Sequence, residues 1–345
     1  MTLRDLQFRL RRLVVVVIGT GVVFALLLLM TGLAQQFMRE PQTTVDGFGA
    51  SRWIVRAGST GAFTSAATID ESIAAELTGT PRADPVITAR HSLILEGETV
   101  DIVVIGIVPG GLGEPRVRSG AKANGRGRVV ADDSAGVAVG ERIRIGPQEF
   151  TVSGLTTDES LFAGMPLIFM SLDDAQDLLY KGASNVTAVL TDRSPTSLPE
   201  GVAALTPAQI VEDARRPLEN AISSIDLIRM LLWGVSALII GGMVFLSAME
   251  RRRDFAVMKA AGASTRWLLG GVAIQGALIA LASAVLAIGL QALLAPVFPM
   301  KVRITGATMV QLPVVAVIVA LLAGGGGLRQ VARIDPAAAF GGPGA

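Results

Sequence analysis

The chain has 345 residues, of which 51% are hydrophobic and only 17% charged, with a formal net charge of +1. Such a surplus of apolar side chains exceeds what a water-soluble surface carries and calls for a lipid neighbour, while the near-neutral, scattered charge provides no field for gathering nucleic acid. Cysteine is absent and histidine occurs once, so disulfides, thiol chemistry, zinc-thiolate sites and a Ser-His-Asp triad have little or no material.

The opening residues MTLRDLQFRLRR place Leu3, Leu6 and Leu10 on one helical side among arginines, the pattern of an amphipathic helix on a membrane surface, or of a plain extension of the segment that follows. Residues 13–33 form a charge-free run, long enough at about 1.5 Å per helical residue to cross the roughly 30 Å hydrocarbon core. A cleavable signal peptide is the competing reading. The run is longer than a typical signal core and leaves through Ala34, Gln35 and Gln36 without a small-x-small exit, which favours a retained anchor.

Residues 34–205 have soluble composition and length enough for a core of their own. Segments 52–57, 86–95, 100–108, 142–145, 150–154 and 186–190 are rich in β-branched residues and partly alternating, predicting strands. His91 falls in one of them, where a strand position accounts for it without a metal or catalytic role. Thr68-x-x-Glu71 and Ser171-x-x-Asp174 predict helix starts for 69–77 and 172–180. The glycine-rich basic stretch 110–127 lacks the G-x-x-x-x-G-K-[ST] spacing of a phosphate loop and is expected to be a surface loop. Asp132 and Asp133 sit in DDSAG, a turn composition, and are given no chemistry.

Thr206-Pro207-x-Gln209 combines an N-cap, a first-turn proline and a reciprocal acceptor. From it an apolar periodicity through Ile210, Ala214, Leu218, Ile222, Ile225 and Ile228 predicts a stalk helix over 206–229, kinked or interrupted at Pro217. Charge-free runs follow within 230–249, 267–297 and 310–328. Gln275 and Gln291 are expected to bond between helices, and Gly324 to Gly327 to loosen the last span or allow close packing. Arginine and lysine concentrate before the first span, in 250–266 and after the last span. The positive-inside rule therefore places those segments and both termini in the cytoplasm, with 34–205 and the short loop 298–309 outside and 329–345 as an inner tail.

The inner loop ERRRDFAVMKAAGASTR predicts a short helix from Asp254 to Ala261 with Phe255, Met258 and Ala261 on one side, a left-handed stop at Gly262 and an N-cap at Ser264. Its apolar side suits a groove on a cytoplasmic partner; a solvated loop that only sets topology is the alternative.

On the segment Glu250 to Ser264, and on Arg333-Ile334-Asp335-Pro336-Ala337-Ala338-Ala339-Phe340, the chain resembles the FtsX-like, MacB-type permeases of ABC transporters, short actinobacterial members above all. The resemblance implies an α-helical membrane protein with four transmembrane helices and an α+β extracytoplasmic domain inserted between the first and second. It further implies a homodimer in a lipid bilayer; the residues themselves offer neither a catalytic constellation nor a metal site. A separate ABC ATPase would bind ATP and Mg and contact the coupling segment at Arg253, Asp254, Phe255, Val257, Met258, Lys259, Ala261, Gly262 and Ser264. Movement would pass to the outer domain through the stalk, with Thr206, Pro207, Gln209 and Pro217 as its markers. Export or extraction of an unknown substrate is the expected function; the alternative is signalling that activates a cell-wall hydrolase, with an outer adaptor or hydrolase as a further partner.

Overall fold

A computed structural model describes residues 3–95, 97–294 and 306–332. The described residues form two compact units, one of 1–35 with 222–345 and the other Gln36–Ala221. The outer loop expected at 298–309 lies largely outside the described residues, as do the Arg333–Phe340 segment and most of the expected tail.

The elements follow in chain order: α1 (Leu3–Gly47), β1 (Arg52–Arg56), β2 (Ile69–Asp70), α2 (Ile73–Glu76), β3 (Ala83–Leu95), β4 (Glu98–Ile107), β5 (Ser119–Gly120), β6 (Arg128–Asp132), β7 (Arg142–Ile145), β8 (Gln148–Thr156), β9 (Ser160–Leu161) and β10 (Met165–Ser171). Then come α3 (Leu172–Tyr180), β11 (Asn185–Val186), β12 (Ala188–Thr191), β13 (Val202–Leu205), α4 (Pro207–Arg215), α5 (Glu219–Glu250), α6 (Arg252–Ala260), α7 (Thr265–Leu294) and α8 (Gly306–Ala332).

In the Gln36–Ala221 unit one sheet runs β13-β1-β12-β3-β4-β10-β6-β8-β5, with β7 joining β3 and β8, and β9 pairing β10. The β10–β4 and β6–β8 pairs are parallel and the other pairs antiparallel. Because side chains alternate along a strand, Val103 and Ile105 of β4 and Leu167 and Phe169 of β10 enter one core with Val45 of α1, Phe48 just beyond it, and Ile210 and Ala214 of α4. Ile102, Val104, Ile168 and Met170 enter a second core with Leu172 and Ala175 of α3. The central strands are thus buried on both faces. At Gly106 helix and sheet approach so closely that a Cβ would lie 2.4 Å from that of Ala175.

Several expectations change here. The helix predicted over 69–77 is instead β2 followed by the four-residue α2: Asp70 accepts the Ser72 N–H at 2.9 Å, and Ile69 pairs with Val186. A side-chain acceptor two residues late closes a turn rather than a helix start. The segment 110–127 is pinned to the sheet through β5, and Lys122 pairs with Glu114. Asp132 caps the 3-10 turn Asp133–Ala135, and His91 is a β3 residue opposite Ile102.

In the other unit, Phe24, Ile240, Val244, Ile279, Ala280, Ala316 and Ala320 share one core drawn from α1, α5, α7 and α8. Gln275 donates to Ser247 at 3.1 Å and Gln35 to Thr308 at 2.9 Å, joining α7 to α5 and α1 to α8. Gln291 is buried. Helix α8 continues through Gly324 to Gly327 without a break. Helix α1 runs unbroken from Leu3, so residues 3–12 form an extension of the first apolar run rather than a separate helix.

Candidate coupling site

Helix α6 begins directly after α5, with only Arg251 between them. Asp254 lies in its first turn and Lys259 in its last, each complementing the partial charge at that end. Gly262, at φ +94, ends the turn: its N–H donates to the Lys259 carbonyl at 3.1 Å, and the Ala263 N–H to the Met258 carbonyl at 2.9 Å. A residue with a Cβ is strained at that φ. The Trp267 N–H donates to Ser264 Oγ at 3.3 Å, so Ser264 caps the start of α7 as the sequence predicts.

The faces of α6 are arranged differently from the expectation. Phe255 (7% exposed) and Ala256 (2%) enter the core of their own unit, with Met258 packed against it. Of the expected apolar side, Phe255 packs into the helical core, Met258 is half-buried against it and Ala261 is exposed. What faces outward is Arg253, Asp254, Val257 (55% exposed), Ala261, Gly262 and Ser264. Next to the site, Glu250 of α5 forms an ion pair with Arg12 of α1.

The stalk is also reapportioned. Thr206 accepts the Gln209 N–H at 3.3 Å and donates its own N–H to Gln209 Oε1 at 2.8 Å, completing the predicted capping box. Beyond it, α4 belongs to the Gln36–Ala221 unit: Ile210 and Ala214 are fully buried, and so is Asp213. Asp213 accepts from the N–H groups of Phe63 (3.0 Å) and Thr64 (3.2 Å) and from the Thr60 hydroxyl (3.0 Å). Pro217 lies in the 3-10 turn Arg216–Leu218, which separates α4 from α5. The stalk predicted over 206–229 is thus interrupted at Pro217 as the sequence indicates, and its first part, α4, is packed into the Gln36–Ala221 unit before α5 begins.

Sequence reasoning missed a second connection. Helix α1 extends past the apolar run to Gly47, through Pro41. Its end is held by Glu40, which accepts from Gln36 (3.0 Å), Ser160 Oγ (3.1 Å) and the N–H groups of Ala163 and Gly164 (3.2 Å each). Arg215 of α4 donates to the Met38 carbonyl at 3.1 Å, tying the two connections together. The i,i+4 pairs Gln36–Glu40 and Gln42–Asp46 were the available signal.

Among the described residues, three helices are long and apolar enough to cross a membrane, in Arg11–Gly47, Pro207–Glu250 and Gly270–Leu294, with a shorter apolar helix Gly306–Leu322. The FtsX-like permease C-terminal family matches residues 227–336, and the MacB-like periplasmic core domain matches residues 13–208, more than half of the chain. The chain belongs to the FtsX-like, MacB-type ABC transporter permeases. An uncharacterized ABC transporter permease of Mycobacterium tuberculosis and one of Mycobacterium bovis are each 39% identical to it over 344 residues, 99% of both chains. A second M. tuberculosis protein of the same description is 37% identical over the same length. The crystal structure of the extracellular domain of the noncanonic ABC-type transporter YknZ from Gram-positive bacteria covers 45% of this chain and 98% of that one, at 13% identity and a TM-score of 0.34. As a permease of this family the protein is a membrane component of an ABC transporter, and an ABC transporter permease implies an ATPase partner.

Proposed function

We propose that this permease transmits the work of a separate ABC ATPase to its outer domain, and that the outward side of α6 is the surface on which the ATPase acts. The observation that carries the reading is the division of α6. Phe255 and Ala256 fix it to the helical core while Arg253, Asp254 and Val257 stay exposed, so a push on the exposed side is passed to α5 and α7 rather than absorbed. Helices α1 and α5 each contain residues of both units, and a helix transmits displacement along its axis better than a loop does.

In this reading α8 is the fourth transmembrane helix, both termini are cytoplasmic and 34–205 with the docked α4 is extracytoplasmic. ATP and Mg are bound by the partner, and two copies of the permease work with two ATPases. The basic flanks at Arg11 and Arg12, at Arg251 to Arg253 and at Arg329 support this orientation. The substrate is exported or extracted on the outer side without a path of charged residues through the helices.

Co-purification in detergent with the ABC ATPase of the neighbouring gene tests the site. Val257→Asp and Arg253→Glu are expected to lose the ATPase while the permease stays folded. Retention of the ATPase by both variants would remove α6 from the interface.

A further inference from the structure

Between α5, α6 and α7 lies a cavity of about 530 Å³, whose lining includes Arg251, Phe255, Met258, Trp267, Gly271 and Ile274. We infer that it holds an anionic phospholipid, with the phosphate on Arg251 and an acyl chain along Gly271 and Ile274.

Charge decides the occupant. Glu250, the neighbouring carboxylate, is engaged by Arg12, and among the described residues no carboxylate pairs with Arg251. An unneutralised guanidinium at the mouth of an apolar trough matches a phosphate with a hydrocarbon tail, and basic pockets between transmembrane helices recognise such headgroups. Trp267, 67% exposed in the first turn of α7, has the amphipathic ring that settles at headgroup level. The trough itself is cut by glycine: a Cβ at Gly270 or Gly271 would meet nothing within 4 Å. Gly271 and Ile274 belong to the apolar segment Gly270–Leu294, a depth that a soluble ATPase does not reach.

The inference takes the membrane embedding of α5 and α7 from the proposed function and is independent of which side of α6 meets the ATPase. Its test is native mass spectrometry of the full-length protein in non-ionic detergent, titrated with phosphatidylglycerol and with phosphatidylcholine of the same acyl chains. The wild type is expected to retain phosphatidylglycerol preferentially. Arg251→Gln should weaken that retention about fivefold, the effect of one charge near a headgroup, with phosphatidylcholine unaffected and Arg251→Lys restoring most of it. Gly271→Leu, which fills the trough, should lose both lipids. Equal retention of the two lipids by the wild type, or full phosphatidylglycerol retention by Gly271→Leu, overturns the inference. So does a Gly271→Leu protein that changes its oligomeric mass or loses the ATPase with its lipid adducts intact, since the groove is then a protein interface. Coupling is read separately, by ATPase retention in Val257→Asp.

Discussion

Glu40, near the end of α1 and only 4% exposed, accepts the backbone N–H of Ala163 at 3.2 Å, and Ala163 sits at φ +70. The loop it holds also has Asp158 at φ +62 and Phe162 at φ +53, with the Arg90 guanidinium 3.8 Å from the Phe162 ring centroid. A buried carboxylate therefore secures a run of left-handed backbone that few non-glycine residues adopt.

Glu40→Ala removes the acceptor and leaves two N–H groups without it. It should destabilise the Gln36–Ala221 unit by about 1–3 kcal/mol, and the amides of Ala163 and Gly164 should exchange with deuterium much faster. Unchanged exchange at those amides would show that the clamp is not what orders the loop.

Ala163→Gly should act in the opposite direction. Glycine adopts φ +70 without the cost of a Cβ, so thermal unfolding of the detergent-solubilised protein should move upward, by roughly 0.5–1 kcal/mol. A fall in stability would mean that the Ala163 methyl group packs more usefully than its backbone is strained.

Stability near Glu159 should depend on pH. Burial, helped by the nearby charges of Asp132 and Asp158 and opposed by Arg116, pushes its carboxyl from 4.5 up to about 7. The folded state thus binds the proton more tightly than the unfolded chain. The stabilisation is full below about pH 4.5 and is lost as pH rises through about 7. Glu159→Gln should flatten this part of the melting temperature against pH and melt above the wild type at pH 8. Parallel profiles for the two proteins would exclude Glu159 as the cause.

Phe255→Ala should cost on the order of 3 kcal/mol through the cavity it leaves, visible in thermal melts without any ATPase present. Val257→Asp on the exposed side should leave the melt within about 0.5 kcal/mol of wild type. A melt unaffected by Phe255→Ala would return that side chain to the partner surface.

A flexible Gly-Ser insertion after Ser224 should leave ATPase binding intact but abolish any nucleotide-dependent change in hydrogen exchange of residues 158–164 in the permease–ATPase complex. An undiminished change would mean that α5 is not the route.

Legibility in the sequence followed the chemistry of each element. The strands at 142–145 and 150–154 were readable because one face of β7 alternates with water, Ile143 and Ile145 buried and Arg142 and Arg144 exposed. Strand β10, MPLIFMS, was not, because burial on both faces erases the alternation that marks a strand. Capping at Thr206 and Ser171 was legible, being local hydrogen-bond chemistry. The sides of α6 were not: an apolar stripe announces that it will be covered, but not whether by the chain itself or by a partner. The same limit applied to α4, whose Ile210 and Ala214 read equally well as a stalk face or as core.

The bond from Arg215 to the Met38 carbonyl joins positions 177 apart in the chain. Everything between them enters and leaves through one fastened neck, which makes the outer unit topologically a cassette. A different insert with the same neck could be spliced into the same helical frame without redesigning it.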